Sequence, residues 1–551
     1  MAVGKSINRV DAVAKVTGRA LYTEDLCDDN VLTAKVLHST IANGLVKSID
    51  ISEAEKIPGV VKIVTCFDVP DIKFGTAGHP YSLDPSHKDI EDRMLLNKRV
   101  RIYGDDIAAV VAVDDISAQR ALKAIKVEYE VYKPIVSAKQ AMTEGESQLH
   151  EGYKNNILAK DEASYGDFDS ALNRADLEYF EDEFSTPRAQ HAHIENPVSL
   201  AYMEDDRVVV VSSTQIPHII RRIVGQAIGV HWGKVRIIKP YIGGGFGNKQ
   251  DALYEPLIAY LCMQVGGRKV KLELTREETF ACTRSRHAID FSFKTYLTKD
   301  GRLVSRYIKA VSDQGGYASH GHAVVRNSVN NYMDLYSYTG GFKADIYTVY
   351  TNLSTSGAMR AYGIPQIAFA CESHIDNIAY KMGFDPAEFR IKNMMVEGYK
   401  SENSGICCHS SGLRQCIDIG RKHIDWEKKR ELYKNQSGSI RRGVGMSIFC
   451  YKTGVYPFSL ELSSSRIVLN QDGSVQLQMG ATEIGQGADT VFTQMVAETI
   501  GLNYKDVHIV STQDTDITPF DLGAYASRQT YVAGKAARQT AELMKEKILE
   551  Y

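Results

Sequence analysis

No run of about 18 apolar residues occurs anywhere in the 551-residue chain, so the sequence offers no transmembrane helix. The longest apolar stretches, such as RVVVVSS ending at Ser213, have the length of buried strands. The opening MAVGKSINRVDAVAKVTGR scatters charges where a secretory signal needs an apolar core. Nine cysteines are present (Cys27, Cys66, Cys262, Cys282, Cys371, Cys407, Cys408, Cys416 and Cys450) without a CxxC pair. That spacing suggests neither a cysteine-rich zinc site nor a cysteine-ligated iron–sulfur cluster. The odd count argues against a disulfide framework, so the chain reads as cytoplasmic with reduced thiols. Neither sign of charge dominates: 65 basic against 68 acidic residues leave a net charge of -3. Nothing in that balance steers the chain to nucleic acid or to an anionic membrane. Fixed-period repeats and low-complexity tracts are also missing.

The length implies roughly three or four domains. Residues 13–140 read as a mixed α/β unit: DDIAAVVAVDD is a strand ending near Val113, SAQRALKAI a helix and KVEYEVY a second strand. A polar stretch, Thr143 to Asn156, is expected as a linker. A second α/β region covers 157–395. Another polar, Ser/Gly-rich and cysteine-containing stretch, YKSENSGICCHSSG, leads into a third region, 410–551.

One device recurs. KVRIIKPYI runs as a strand into GGGFGNK (Gly243 to Lys249), and the following segment sets Leu253, Leu257, Ile258 and Leu261 on one helical face before Gly266 and Gly267. SVQLQMG leads through Gly485–Gln486–Gly487 into a helix lined by Val491, Phe492, Met495 and Val496. GAMRAYGIPQ places Pro365 in a first helical turn. Each junction is expected to put free amides at a positive helix terminus, where anions are favoured. Three of them suggest a large, partly anionic cofactor gripped from several sides.

Taken singly, these motifs are weak. GGGFGNK is neither a phosphate-binding P-loop nor a dinucleotide fingerprint. Gln190, His191, His193 and Glu195 in QHAHIE, and His320 with His322 in SHGHA, could ligate metal. No third ligand sits at suitable spacing, so hydrogen-bonding roles are favoured. Arg360, between small residues and an aromatic, is expected as a buried anion clamp rather than a surface charge. Read this way, the residues name neither cofactor nor reaction.

The order of motifs says more. RVDAVAKVTGRALYTEDL, VSSTQIPH, KPYIGGGFGNKQD, TNLSTSGAMRAYGIPQ, GATEIGQGADT and TPFDLGAYASRQT resemble, in sequence order and spacing, the large subunits of the xanthine dehydrogenase/aldehyde oxidase family of molybdenum hydroxylases. The likeness is strongest to bacterial enzymes built from separate subunits. It implies an α+β fold: a small α/β hammerhead domain (13–140) followed by two elongated mixed α/β molybdopterin-binding domains (157–395 and 410–551), the last incomplete. The implied cofactor is molybdopterin, in simple or dinucleotide form, holding molybdenum through its own dithiolene sulfurs. A [2Fe–2S] subunit and an FAD-binding subunit would carry electrons onward to an acceptor such as NAD.

Position by position, the resemblance implies that Gln215 hydrogen-bonds an oxygen on the metal and that Phe246 and Gly247 bring backbone beside it. Gln215, Phe246, Arg360 and Ala526 are then the residues set nearest molybdenum. Gly485, Gln486, Ala526, Ser527 and Gln529 would hold the pterin. Arg360 and Tyr362 would line the substrate pocket, Tyr362 by stacking on a flat heterocycle. Gln250 stands where animal-type enzymes carry a purine-binding glutamate; it supplies hydrogen bonds but no charge. The implied reaction is hydroxylation of hypoxanthine or xanthine at an electron-poor ring carbon, with oxygen from water. Carbon monoxide oxidation is disfavoured because GAMRAYG lacks a cysteine beside its arginine; aldehyde and nicotinate-type substrates stay open. The family's general-base glutamate belongs to a late GxGEP-like motif not found here. The expectation is therefore that a separate chain completes the last domain, or that this is a truncated, non-catalytic remnant, inactive alone in either case. A nucleotide-binding module built on the glycine-rich loops is the remaining alternative.

Overall fold

In the computed structural model the described residues are 2–85, 88–402, 405, 407–456, 460–510 and 512–551. The largest sheet has eight strands in the order Gln513–Asp514, Val235–Lys239, Arg207–Ser212, Val198–Glu204, Val270–Glu273, Leu32–His38, Asp106–Ala112 and Val60–Thr65. It thus draws strands from all three expected segments. Leu32–His38 pairs in parallel with Val270–Glu273, Leu32 lying opposite Val270. Asp106–Ala112 is buried along its whole length, as a strand covered on both faces must be.

The part of this sheet that matters for function is its far edge. Arg207–Ser212 and Val235–Lys239 run parallel, with Val208 opposite Val235. Their carboxyl ends therefore release two loops on the same side, one carrying Gln215 and the other Gly243–Gly247. Gln513–Asp514 pairs antiparallel with Val235–Lys239, Gln513 beside Lys239, and the loop that follows returns to these strand ends, where the Ala524 amide donates to the Gln215 carbonyl at 3.0 Å. Ligands in open α/β sheets bind at such strand ends. The Pro217–Ile228 helix starts directly after Gln215, with proline in its first turn and left-handed Gly229 (φ 71°) at its end. Its buried Ile219, Ile220, Ile223, Val224 and Ala227 recur at helical spacing and pack into the main core. Each buried isoleucine contributes roughly 1.5–3 kcal/mol, which fixes the neighbouring loop from below.

A second, five-stranded sheet has the order Ile157–Gly166, Gly341–Tyr350, Leu303–Gly315, Ala288–Thr298 and Leu177–Thr186. Ala288–Thr298 alternates strictly, turning Ile289, Phe291, Phe293 and Leu297 inward. These residues meet Ile367, Ile375 and Ile378 of the 19-residue Ile364–Met382 helix. A third sheet, Ser465–Leu469, Val475–Met479 and Val507–Ile509, packs with the helices Ala488–Ile500 and Gly534–Glu550 through Leu477, Phe492, Val496 and Ala537.

Several local expectations are met. Asp106–Ala112, the Asp115–Ala124 helix and Lys126–Val131 follow in the expected order. Asp114 caps that helix by accepting from the Ser117 amide at 2.7 Å. Others are not. The Thr143–Asn156 stretch is no free linker: Leu149, His150 and Asn156 are buried, and Asn156 accepts from the Leu149 amide while donating to the Ala141 and Ser147 carbonyls. Polar composition there serves buried hydrogen bonds rather than solvent. The 399–412 stretch includes residues 403, 404 and 406, which lie outside the described residues. All nine cysteines are free thiols. No helix among the described residues is long and apolar enough to cross a membrane.

Candidate cofactor site

Gln215 is the hub. Its side chain is buried; Oε1 accepts from the Gly247 amide at 2.9 Å and Nε2 donates to the Ala524 carbonyl at 2.9 Å. Its backbone repeats the pattern, donating to the Lys249 carbonyl at 2.8 Å and accepting from the Ala524 amide at 3.0 Å. One glutamine thus ties the GGGFG loop to the loop preceding Ala526.

The glycines around it are required by space. A Cβ on Gly245 would lie 2.5 Å from Gln215 Oε1, and one on Gly523 (φ 105°) 2.4 Å from the Gln215 carbonyl. At Gly247 (φ 110°) it would lie 2.6 Å from the Ala358 carbonyl. The third loop joins here as well, since the Arg360 amide donates to the Phe246 carbonyl at 2.8 Å and His191 bonds the Ala358 carbonyl at 2.7 Å.

Strain accumulates at the same loops. Phe246 (φ 54°), Ala361 (φ 68°), Tyr362 (φ 41°), Ala526 (φ 46°) and Ser527 (φ 54°) all take the left-handed conformation. Each costs about 1–3 kcal/mol and persists only where the surroundings enforce it, typically at binding or catalytic sites.

The GQG loop is built differently from expectation. Its helix begins at Ala488, but Glu483 fills the amide cradle, accepting from Gly485 (2.7 Å), Gly487 (3.1 Å) and Asp489 (3.1 Å). Three of the amides at this terminus are therefore already taken by the chain's own carboxylate, which sets a negative charge where an external anion was expected. The GGGFGNK segment is likewise no helix start: a short turn at Asn248–Gln250 and an extended link precede the helix Glu255–Gln264, leaving Leu253 outside it. Two helices do follow their glycines directly as expected: Ala488–Ile500 after left-handed Gly487, and Ile364–Met382 after left-handed Gly363 with Pro365 in its first turn.

Gln486 and Gln529 meet side chain to side chain, and both donate to the Thr482 carbonyl, at 3.1 and 2.8 Å. Lys239, fully buried, donates to the Glu483 carbonyl at 2.9 Å and so connects the strand before GGGFG with the GQG loop. Burial pushes its ammonium down to about 8, against the opposing pull of Asp489 and Glu483. The Ala526 carbonyl accepts from the Gly454 amide at 2.8 Å.

Arg360 is exposed, not the buried clamp expected; with its amide taken by Phe246 and its carbonyl by Arg286 at 3.0 Å, the side chain is carried outward. Tyr362 is half-buried, its hydroxyl bonded to His320 at 2.9 Å. Gln250 is buried against Gly78, where a Cβ would meet its carbonyl at 2.3 Å.

Four supports have partners the sequence reading did not identify, although Glu195 and His320 were among its candidates for hydrogen-bonding roles. Glu195 and Lys249 form a buried ion pair at 2.6 Å. Glu483 caps the GQG helix. Arg528, wholly buried, bridges Asp521 (2.8 Å) and Glu461 (2.6 Å), and His320 backs Tyr362. Arg528 and Asp521 both stand within the quoted TPFDLGAYASRQT motif, so an arginine among small residues was the available signal. The histidines of QHAHIE act as neutral hydrogen-bonding groups: burial pushes His191 down to about 4 and His193 down to about 3, and His193 bonds Asn248 at 2.9 Å. Among the described residues no group of three or more His, Cys, Asp or Glu is arranged to hold a metal.

Several polar groups behind these loops lack partners among the described residues. Thr482 Oγ1, both polar atoms of the Gln513 amide and the Tyr525 hydroxyl are buried without a partner among the described residues, and native proteins rarely leave such groups unpaired unless a ligand or water serves them. Gly485 (φ 105°) faces open space, with nothing within 4 Å of a Cβ position.

Comparison with known proteins agrees with this geometry. Residues 17–133 match the model of the aldehyde oxidase and xanthine dehydrogenase a/b hammerhead domain, and residues 149–394 and 419–551 match two molybdopterin cofactor-binding domain models. The chain is 46% identical over 547 residues to the putative xanthine dehydrogenase molybdenum-binding subunit XdhA of Escherichia coli, covering 98% of this chain and 72% of the relative. This chain belongs to the xanthine dehydrogenase/aldehyde oxidase family. As a family member it carries a hammerhead domain followed by molybdopterin-binding domains. It is also 33% identical to the nicotinate dehydrogenase large molybdopterin subunit of Eubacterium barkeri, over 78% of this chain and 98% of that one. The aldehyde oxidoreductase of Desulfovibrio desulfuricans superposes with a TM-score of 0.91 at 28% identity, over 98% of this chain; the chain spans 60% of that protein's length.

Proposed function

We propose that this chain bears the molybdenum cofactor of a xanthine dehydrogenase-type complex that hydroxylates a purine ring carbon, hypoxanthine or xanthine, with oxygen from water. Partner subunits carrying FAD and [2Fe–2S] would take the electrons, and the complex would work in the cytoplasm. The single observation carrying this reading is the convergence on Gln215 of two glycine-rich loops, joined by a third and held in strained backbone, in a member of a molybdopterin-binding family.

The residues fit such a group. Gln486 and Gln529, paired over the Thr482 carbonyl, would hold the pterin together with the orphaned polar atoms of Thr482, Gln513 and Tyr525. Gln215 and the Phe246–Gly247 backbone would face the metal. When bound, the cofactor supplies the two-electron oxidation and the activated water. The protein contributes orientation: Gln215 fixes both loops, and Tyr362 offers a ring for stacking on a flat heterocycle.

The carboxylates near these loops each have a cationic or amide partner. Glu195 serves Lys249 and Gly243, Asp251 serves Ser319 at 3.0 Å and Arg284 at 3.4 Å, Glu483 caps a helix, and Asp521 holds Arg528. In this reading none of them is the base that takes the proton from the attacking water. Gln250 in place of a charged residue limits purine recognition to hydrogen bonds. Turnover of hypoxanthine, xanthine, nicotinate and benzaldehyde by the purified complex tests the proposal. Either purine should have the highest kcat/KM. Oxidation of nicotinate or benzaldehyde with neither purine turned over would overturn the purine assignment.

A further inference from the structure

Behind the pocket ring of Tyr362 lies a row of polar side chains. The Tyr362 hydroxyl and His320 Nδ1 are joined by a 2.9 Å hydrogen bond, and the two rings stand edge to face at 89°. His320 is buried, with its other nitrogen 3.6 Å from Asp251 Oδ2. Its ring is met edge-on by His79 at a centroid distance of 4.7 Å. His79 Nδ1 lies 2.6 Å from Asp89 Oδ1, and Asp89 Oδ2 lies 3.4 Å from Arg222. Arg284, beside Asp251, bonds Thr76 at 3.0 Å. The outer half of this row belongs to the N-terminal segment, whereas Tyr362 and His320 come from the middle of the chain.

Two strained turns meet across the Tyr362–His320 bond. Tyr362 (φ 41°) follows left-handed Ala361, and His320 follows left-handed Ser319 (φ 41°). A bulky residue in that conformation persists only if its side chain is held. The Tyr362 side chain is held through its hydroxyl by His320, while Asn327 donates to its carbonyl at 2.8 Å. The two histidines are also differentiated. Burial and the neighbouring His79 push His320 well below the ordinary histidine range; for His79, burial is outweighed by the Asp89 carboxylate, which raises it.

We propose that His320 is a positioning residue that fixes the ring plane and hydroxyl direction of Tyr362, and that His79 and Asp89 hold His320 in place from the hammerhead side. Affinity for a flat heterocycle would then depend on residues that never touch it. This rests on the reading of Tyr362 as a pocket-lining ring given above.

The test uses the full 551-residue chain with its partner subunits and 3-fluorotyrosine placed at position 362. The native protein should give one sharp fluorine resonance. His320→Leu should shift and broaden it, His79→Leu should do so less, and His320→Gln, which keeps a polar group, should largely restore it. In kinetics, His320→Leu should raise KM for the heterocycle about fivefold, the worth of one ordinary hydrogen bond, with a smaller change in kcat. Tyr362→Phe should do the same, and the double variant should add nothing further. An unmoved fluorine signal in His320→Leu, or fully additive effects of the two substitutions, would overturn the proposal. Because the fluorine signal needs no turnover, a responsive resonance in a protein that oxidises no heterocycle would sink the functional reading and leave the Tyr362–His320 coupling standing.

Discussion

Lys249 Nζ lies 2.6 Å from Glu195 Oε2, the same oxygen that accepts from the Gly243 amide at 2.8 Å. One carboxylate oxygen therefore closes the GGGFGNK loop at both ends, while Gln215 holds its middle through Gly247. The lysine is buried, and burial lowers its pKa against the raising pull of Glu195. Breaking such a pair on one side leaves an uncompensated buried charge, which costs about 3–5 kcal/mol. Lys249→Met should destabilise the protein by that order in denaturant unfolding, and adding Glu195→Gln should recover part of the loss. Equal stability of Lys249→Met and the native chain would refute the clamp.

Gly247 and Gly485 separate strain from space. Both are left-handed, but a Cβ at Gly247 would lie 2.6 Å from the Ala358 carbonyl, whereas at Gly485 nothing stands within 4 Å. Gly247→Ala must displace the loop against the 358–363 segment; Gly485→Ala meets only the backbone preference, worth about 1 kcal/mol. Metal analysis after expression with cofactor supply should find molybdenum sharply reduced in Gly247→Ala and mostly retained in Gly485→Ala. The reverse order would contradict the packing described here.

Gln215→Leu removes two side-chain hydrogen bonds, each contributing about 1 kcal/mol. Hydrogen exchange should speed up at the Gly247 amide, whose acceptor is lost, and in the 523–527 backbone, while the Pro217–Ile228 helix stays protected. Unchanged exchange in both loops would mean that Gln215 does not join them.

The buried histidines set the sign of the acid response. His191 and His193, held down to about 4 and about 3 by burial, stay neutral in the fold but titrate near 6.5 when unfolded. Between these values the unfolded chain binds more protons, so stability rises with pH; their contribution is complete above about 6.5 and is lost on acidification towards 4 and 3. His193→Asn should flatten the dependence of the unfolding midpoint between pH 4.5 and 7. His38 has the opposite sign. Despite burial, Asp106 at 3.1 Å and Glu278 at 3.6 Å raise it well above the ordinary histidine range. Its contribution is therefore complete below about 6.5 and fades as pH rises through the folded value. His38→Gln should remove that alkaline decline; an unaltered profile in either variant would contradict the assignment.

Much of this was legible from residues alone. The Asp106–Ala112 strand, the Asp115–Ala124 helix, the Lys126–Val131 strand and the proline-led Ile364–Met382 helix follow from local pattern. The ordered motifs carried the family. What was not legible depends on how side chains fold back onto backbone and on partners far away in sequence. Nothing near GQG says that Glu483 will fold back onto its amides, and nothing in QHAHIE says that Glu195 will reach Lys249, 54 positions away. Arg360 was expected buried because its neighbours are small, yet tertiary bonds to both sides of its backbone turn the side chain out. The Thr143–Asn156 stretch looked like a linker because polarity in sequence does not distinguish solvated side chains from those satisfied inside.

The central claim is that the loops gathered on Gln215 grip a pterin-bound molybdenum. Combined molybdenum and pterin analysis of the chain, produced with its partner subunits in a host that makes the cofactor, tests it most directly. The expected result is about one molybdenum and one pterin per chain, in fixed ratio, as one site of a cofactor enzyme requires, with both reduced in Gly247→Ala. Correctly folded protein containing neither would contradict it.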